Sequence, residues 1–295
     1  MTITDLGGHS GCQILLCEDL DKVFVRKISS SIEYNSRLEI QADKQKSYFS
    51  KFIKTPKVYY TGYTDNGLFY FDMEYIQGIT LAEYIEKIEI GKIRNLVEQL
   101  VESFATFDQQ EYVDTTSFMV KIKSLKESLY EKENKTINNA LSILEKHNWS
   151  AFTQSFCHGD MTLENLIIQN DKIYLIDFLD SFYDSWILDM GTLLQDTLVM
   201  WHYRYQDNVN INTILRLLVF KDVLIECMVK KMGNRYIEIY YALLLKLIRI
   251  FPYTRDDMTY DFLTRKTQEI LDRILKEEQY ADINSALCKQ TKISE

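Results

Sequence analysis

Apolar positions in the first ninety residues come in short β-branched and aromatic runs; beyond about residue 78 they recur at three- and four-residue steps. Ile3 to Leu6, Gln13 to Cys17, Lys22 to Ile28, Lys57 to Tyr63 and Leu68 to Tyr75 have the length and composition of strands. The turn signals between them are Gly7-Gly8-His9-Ser10-Gly11, Glu18-Asp19-Leu20-Asp21 and Asp65-Asn66-Gly67. Ile32 to Lys51 places Tyr34, Leu38, Ala42 and Phe49 on one side, which predicts a single helix among the strands.

After Gln77-Gly78 the spacing predicts helices over Leu81 to Ile88, Ile93 to Phe107, Phe118 to Leu129 and Ile137 to Lys146. Two short strands, Leu166 to Ile168 and Ile173 to Ile176, flank a turn at Asn170-Asp171. Helices resume from Leu188, through Leu215 to Met232, Tyr236 to Phe251 and Met258 to Lys276. The expected fold is α+β with two lobes, a mainly β one over 1–78 and a helical one over 79–295.

Composition narrows the partners. The net charge of −9 repels phosphate backbones and anionic lipid, so neither nucleic acid nor a membrane surface is an expected partner. The most apolar stretch, Ala242 to Phe251, is broken by Lys246 and Arg249 and is about half of a bilayer span, so no membrane insertion is expected. No secretory signal precedes the first strand, which leads us to expect a cytoplasmic chain. Five cysteines without a C-x-x-C pair suit reduced thiols rather than a disulfide framework. The sequence leaves the oligomeric state open.

One segment carries chemistry: His158-Gly159-Asp160-Met161-Thr162-Leu163-Glu164-Asn165, followed by Ile176-Asp177-Phe178 and then by Asp189. Its order and spacing resemble the aminoglycoside phosphotransferase and choline kinase family, small-molecule kinases with a fold related to protein kinases. The resemblance covers nearly the whole chain and implies ATP and Mg²⁺. Phosphoryl transfer needs an oriented hydroxyl, neutralised phosphates and bridging metal. Asp160 is the expected acceptor of the hydroxyl proton. Asn165 and Asp177 are the expected Mg²⁺ ligands, an amide oxygen and a hard carboxylate. His158 is expected to order the loop. The resemblance implies that Asp189 accepts hydrogen bonds from it.

The β lobe offers further matches. Backbone N–H groups around Gly8 and Gly11, with the Ser10 hydroxyl, are candidates to cover the phosphates; a plain hairpin turn is the alternative. Lys27 matches the family's phosphate-binding lysine, and strand alternation puts it with Val23 and Val25 on the side away from Arg26. The family's partner glutamate for this lysine is missing. Gln41 stands near its position and Glu39 half a turn away, so either is a candidate orienter of Lys27. Phe71 to Gly78 resembles the family's connector between lobes, which implies adenine contacts at Met73, Glu74 and Tyr75.

Only Phe178 to Ser185 separates Asp177 from Trp186, too short a segment to dock an extended peptide. A small acceptor follows: a sugar, amino sugar or amino alcohol, with Asp180, Asp184 and Trp186 as candidate contacts. For Trp186 a core position is the alternative. Trp201 to Tyr205 is read as part of an aromatic helix face without an assigned role. The chain is also similar to short bacterial phosphotransferase-family members of surface-polysaccharide gene context, which implies a sugar-derived acceptor. The missing glutamate keeps a regulatory nucleotide-binding module as a second reading, with a protein kinase as a third.

Overall fold

The computed structural model describes residues 2–7, 11–19, 22–105, 113–132 and 134–291, with side chains up to residue 279 except at 105. Strands β1 (Thr2–Asp5), β2 (Gln13–Asp19) and β3 (Lys22–Ile28) precede helix α1 (Asn35–Ser47), the short strand β4 (Ile53–Lys54), and strands β5 (Val58–Tyr63) and β6 (Phe69–Glu74). The first sheet has the order β1-β2-β3-β6-β5 and is antiparallel throughout. Its β5–β6 hairpin closes where Gly67 adopts φ +75°, a left-handed conformation that costs glycine little. Asn35 fixes the start of α1 on that hairpin: its side chain donates to Gly67 O and accepts from Phe69 N, both at 2.8 Å. From there Leu38 and Ala42 pack on Phe69 and Phe71 in a small core of their own.

The chain continues through β7 (Ile79–Thr80), α2 (Leu81–Ile85), α3 (Ile90–Ala105), α4 (Thr115–Ser128) and α5 (Lys135–Lys146). Strands β8 (Leu166–Gln169) and β9 (Lys172–Leu175) follow, then α6 (Trp186–Thr197), α7 (Ile211–Met232), α8 (Glu238–Ile250) and α9 (Asp257–Thr291). Asn170 and Asp171, at φ +49° and +59°, make the two-residue turn of the β8–β9 hairpin, a geometry that matches strand twist. A second sheet runs β4-β9-β8-β7, and β4 joins it in parallel through Ile53 and Ile173. Helices α6 and α8 are buried over most of their length. They meet at Gly191, where an added Cβ would stand 2.6 Å from Ala242 Cβ.

The two-lobed α+β architecture is thus the one the periodicity predicts. Strands β4 and β7 escape that reading because two residues cannot display an alternation. Phe107, the expected end of the second large-lobe helix, and Gly8 and Ser10 of the glycine turn lie outside the described residues. Trp201 to Tyr205 departs from its expected helix: after α6, Met200 at φ +62° breaks the chain and a 3-10 turn spans Trp201–Tyr203. Among the described residues no helix is long and apolar enough to cross a membrane.

Candidate active site

The loop from His158 to Asn165 leaves the large-lobe core and returns to it as β8, and its shape is set by hydrogen bonds to buried groups. Asp189, in the first turn of α6, accepts from His158 N at 2.6 Å and Gly159 N at 2.9 Å. Burial pushes the Asp189 carboxyl up to about 6 against those two N–H groups, which pull it down. The His158 ring lies between Ile176 O, 2.7 Å from Nε2, and the backbone N–H of Asp160, which donates to Nδ1 at 3.2 Å. Because Nδ1 accepts, the proton belongs on Nε2 and the ring is neutral. Burial, lowering its pKa to about 4, keeps it so. His158 therefore acts as a brace between the loop and the strand end. Gly159 sits at φ +92°, and a Cβ there would come 2.3 Å from Ser181 Oγ, so the bend needs glycine.

Asp160 emerges from this brace. Lys246, on α8, donates to its Oδ1 at 2.6 Å. Burial pushes the Asp160 carboxyl up, but the charge and hydrogen bond of Lys246, with smaller contributions from His158 and Arg249, hold it below its ordinary value. Asn165 Nδ2 donates to Asp160 O at 2.8 Å, which commits the amide nitrogen and leaves Oδ1 as the outward acceptor. Asp177 follows β9 at φ +61°, a strained conformation for a non-glycine residue.

Asp177 Oδ1 bonds the ammonium of Lys27, which is itself 2% exposed, and Gln41 Oε1 accepts from the same nitrogen at 3.0 Å. Gln41 is held in turn by a bond from its Nε2 to Tyr34 Oη at 3.1 Å. Glu39 points the other way, to the Tyr63 hydroxyl. Gln41 and not Glu39 is thus the residue that meets Lys27.

One cavity of about 870 Å³ joins these groups. Lys27, Gln41, Met73, Glu74, Tyr75, Asp160, Asn165 and Asp177 all line it. Val25, Phe71 and Ile176 give its inner end apolar walls. Gly11, at φ +75°, is outside the lining, as are the braces His158 and Asp189.

Asp180, Asp184 and Trp186 are not brought to this cavity, and the acceptor contacts expected of them are corrected here. Asp180 pairs with Arg37 at 3.3 Å and Asp184 with Lys44 at 2.6 Å, so both aspartates anchor α1. Trp186 is 2% exposed within the large-lobe core. Near an apolar loop, a carboxylate finds a basic helix as readily as it finds a ligand.

Lys246 and Asp196 line the cavity without having been expected there, and Arg204 and Tyr205, from the run without an assigned role, line it too. A lysine inside the apolar stretch Ala242 to Phe251 was the available signal for the first, since an ammonium is rarely placed in such a run unless paired. Among the described residues no three His, Cys, Asp or Glu side chains converge as a self-sufficient metal cage. Asp177 and the Asn165 amide oxygen offer two hard oxygen donors, the kind Mg²⁺ prefers, and would be the residues to hold it.

Residues 38–212 match the model of the phosphotransferase enzyme family. No curated protein matches the chain. The fold is similar to that of aminoglycoside phosphotransferase APH(4)-Ia, with a TM-score of 0.63 and 14% identity over 94% of this chain and 93% of that one. It is also similar to a protein assigned as a fructosamine-3-kinase from Haemophilus somnus 129PT (TM-score 0.55, 17% identity, 93% and 91% of the two chains). A third likeness is to APH(2″)-IIia in its complex with GDP and kanamycin (TM-score 0.53, 16% identity, 96% and 93%).

Proposed function

Because the chain belongs to the phosphotransferase enzyme family, we propose that it is a small-molecule kinase that moves the γ-phosphate of ATP to a hydroxyl of a small metabolite. The observation that carries this reading is the single cavity along which Lys27, Asp177, Asn165 and Asp160 follow one another. That sequence of groups runs from phosphate-binding cation to metal donors to base, the order that in-line transfer requires.

In this reading the apolar inner end, between Val25, Phe71 and Ile176, takes the adenine, with Met73 and Tyr75 at its edge. Lys27, oriented by Gln41, faces the phosphates. Asp177 and Asn165 would hold Mg²⁺, which when bound neutralises charge on the phosphate oxygens. Asp160 orients the acceptor hydroxyl and takes its proton as the acceptor oxygen bonds to Pγ. The bond from Pγ to the bridging oxygen breaks, and ADP leaves with that electron pair. A carboxyl held low by Lys246 is ionised at neutral pH and ready for this role.

The test is incubation with Mg²⁺, ATP and fractionated metabolite extract, followed by mass spectrometry, beside the Asp160→Asn variant. A phosphorylated product formed by wild type alone is expected, with nucleotide binding retained by the variant. Undiminished turnover by Asp160→Asn would refute the base, and failure to bind Mg·ATP would refute the cleft.

A further inference from the structure

This inference rests on the kinase reading and concerns its acceptor. Beyond Asp160 the cavity is bounded by the turn after α6 and by the connection from α8 to α9, which contribute Trp201, Arg204, Tyr205, Tyr253 and Arg255. The acidic side chains at this end are already committed. Asp160 is bonded by Lys246, and Asp196 accepts from Leu163 N at 2.8 Å. Glu164 pairs with His202 at 3.1 Å, and Asp256 caps α9 by accepting from Thr259 N and Oγ1 at 2.7 and 2.8 Å.

The arginines are not committed in this way. Among the described residues neither Arg204 nor Arg255 forms an ion pair within 4.0 Å. Arg204 Cζ lies 4.0 Å from the Trp201 ring centroid and 4.3 Å from that of Tyr205. Stacking on two rings sheds water from the guanidinium and fixes its plane, so that its N–H edge is presented in one orientation. Nη1 donates to Trp201 O at 3.0 Å, while Nε is buried without a hydrogen-bond partner. A desolvated donor of this kind lacks the acceptor that a ligand can supply. Gln195 Oε1, which also lines the cavity, is buried and unpartnered too, and offers a place for a ligand hydroxyl.

We propose that the acceptor is a small polyhydroxylated molecule bearing a fixed oxyanion, a carboxylate or phosphate, which docks on Arg204 and Arg255 while one hydroxyl lies at Asp160. Planar bidentate anions match a guanidinium edge, and Arg204 and Arg255 are cations of this end without an ion-pair partner within 4.0 Å among the described residues, whereas Lys246 is paired with Asp160. An amino sugar or amino alcohol docked on the same two guanidiniums would bring its ammonium against like charge, which counts against it. The rings of Trp201 and Tyr205 then serve twice, holding the arginine and giving a sugar face something apolar to cover.

The experiment keeps one ring and varies its charge. With the nucleotide end saturated by Mg·AMP-PNP, binding of glucose, glucosamine, glucuronate and glucose 6-phosphate is compared by calorimetry and by the shift in Tm. The two anionic probes are expected to bind at least tenfold more tightly than the other two, and their difference tells carboxylate from phosphate. Arg204→Met, which keeps an apolar stem between the rings, and Arg255→Ala, at an exposed position, should each erase most of that preference. Equal binding of the four probes, tighter binding of glucosamine, or an anion preference surviving both substitutions would overturn the proposal. Failure to bind Mg·AMP-PNP at the outset would instead overturn the kinase reading.

Discussion

Lys246 donates to Asp160 Oδ1 at 2.6 Å across 86 residues of sequence. The pair joins α8 to the His158-to-Asn165 loop and sets the ionisation of the proposed base. With Lys246→Met the burial that raises the Asp160 carboxyl loses its main counterweight, so its pKa moves up. The acid limb of the kcat/KM profile should then shift to higher pH, with turnover down about tenfold or more at pH 6 and partly restored near pH 8. A lysine that only braced the fold would scale the profile down without moving it.

Lys27 faces a neutral partner where a carboxylate is the family's choice, and the two candidates for that role separate cleanly. Gln41→Ala removes the 3.0 Å bond to the ammonium and should raise the KM for ATP about three- to tenfold. Glu39→Ala, which loses only an exposed bond to Tyr63, should leave turnover within twofold. Steady-state kinetics on the two variants checks the pair.

Helix α1 is tied to the segment after Asp177 by Lys44, which bonds Asp184 Oδ1 at 2.6 Å and Leu179 O at 3.0 Å. Lys44→Met strands a part-buried carboxylate and a carbonyl, at a cost of about 1–3 kcal/mol. Because Gln41 rides on the same helix, the KM for ATP should rise as well. Denaturant melts and nucleotide titrations of the variant would show both effects, and a loss of stability with unchanged ATP binding would disconnect the anchor from the site.

Two buried groups give opposite pH dependences. Asp196 titrates in the folded chain at about 6, above its ordinary 3.8, chiefly because it is buried. Its contribution to stability is complete below 3.8 and is lost as pH rises through 6. His158, lowered to about 4 from 6.5, contributes fully above 6.5 and loses that contribution as pH falls toward 4. Asp196→Asn should therefore gain on wild type between pH 4 and 7, by about 3 kcal/mol at most for a shift of that size. Tm values compared across that range test the sign, and a constant difference would contradict it.

The lobes, nearly all helices and the order of the proposed catalytic motif could be read from the chain because each depends on neighbours within a few residues. Strand alternation, helical spacing and the Asn170-Asp171 turn are local, and so is the His158-to-Asn165 loop, whose residue types fit its chemistry wherever it is placed. The partners of the charges could not be read this way. Asp180 and Asp184 stand in a loop rich in aromatic residues, and only the approach of α1 turns them into anchors. Gln41 and Glu39 differ by two positions on a helix, and the seating of Asn35 on the β5–β6 hairpin determines which one faces Lys27. Lys246 reads as an interruption of an apolar segment and Arg204 as one member of an aromatic run without a role, until α8 and the turn after α6 bring them to the cavity. The sequence by itself determined the elements and the reaction class; tertiary structure decided the electrostatics, since a charge's energy depends on what packs against it from distant parts of the chain.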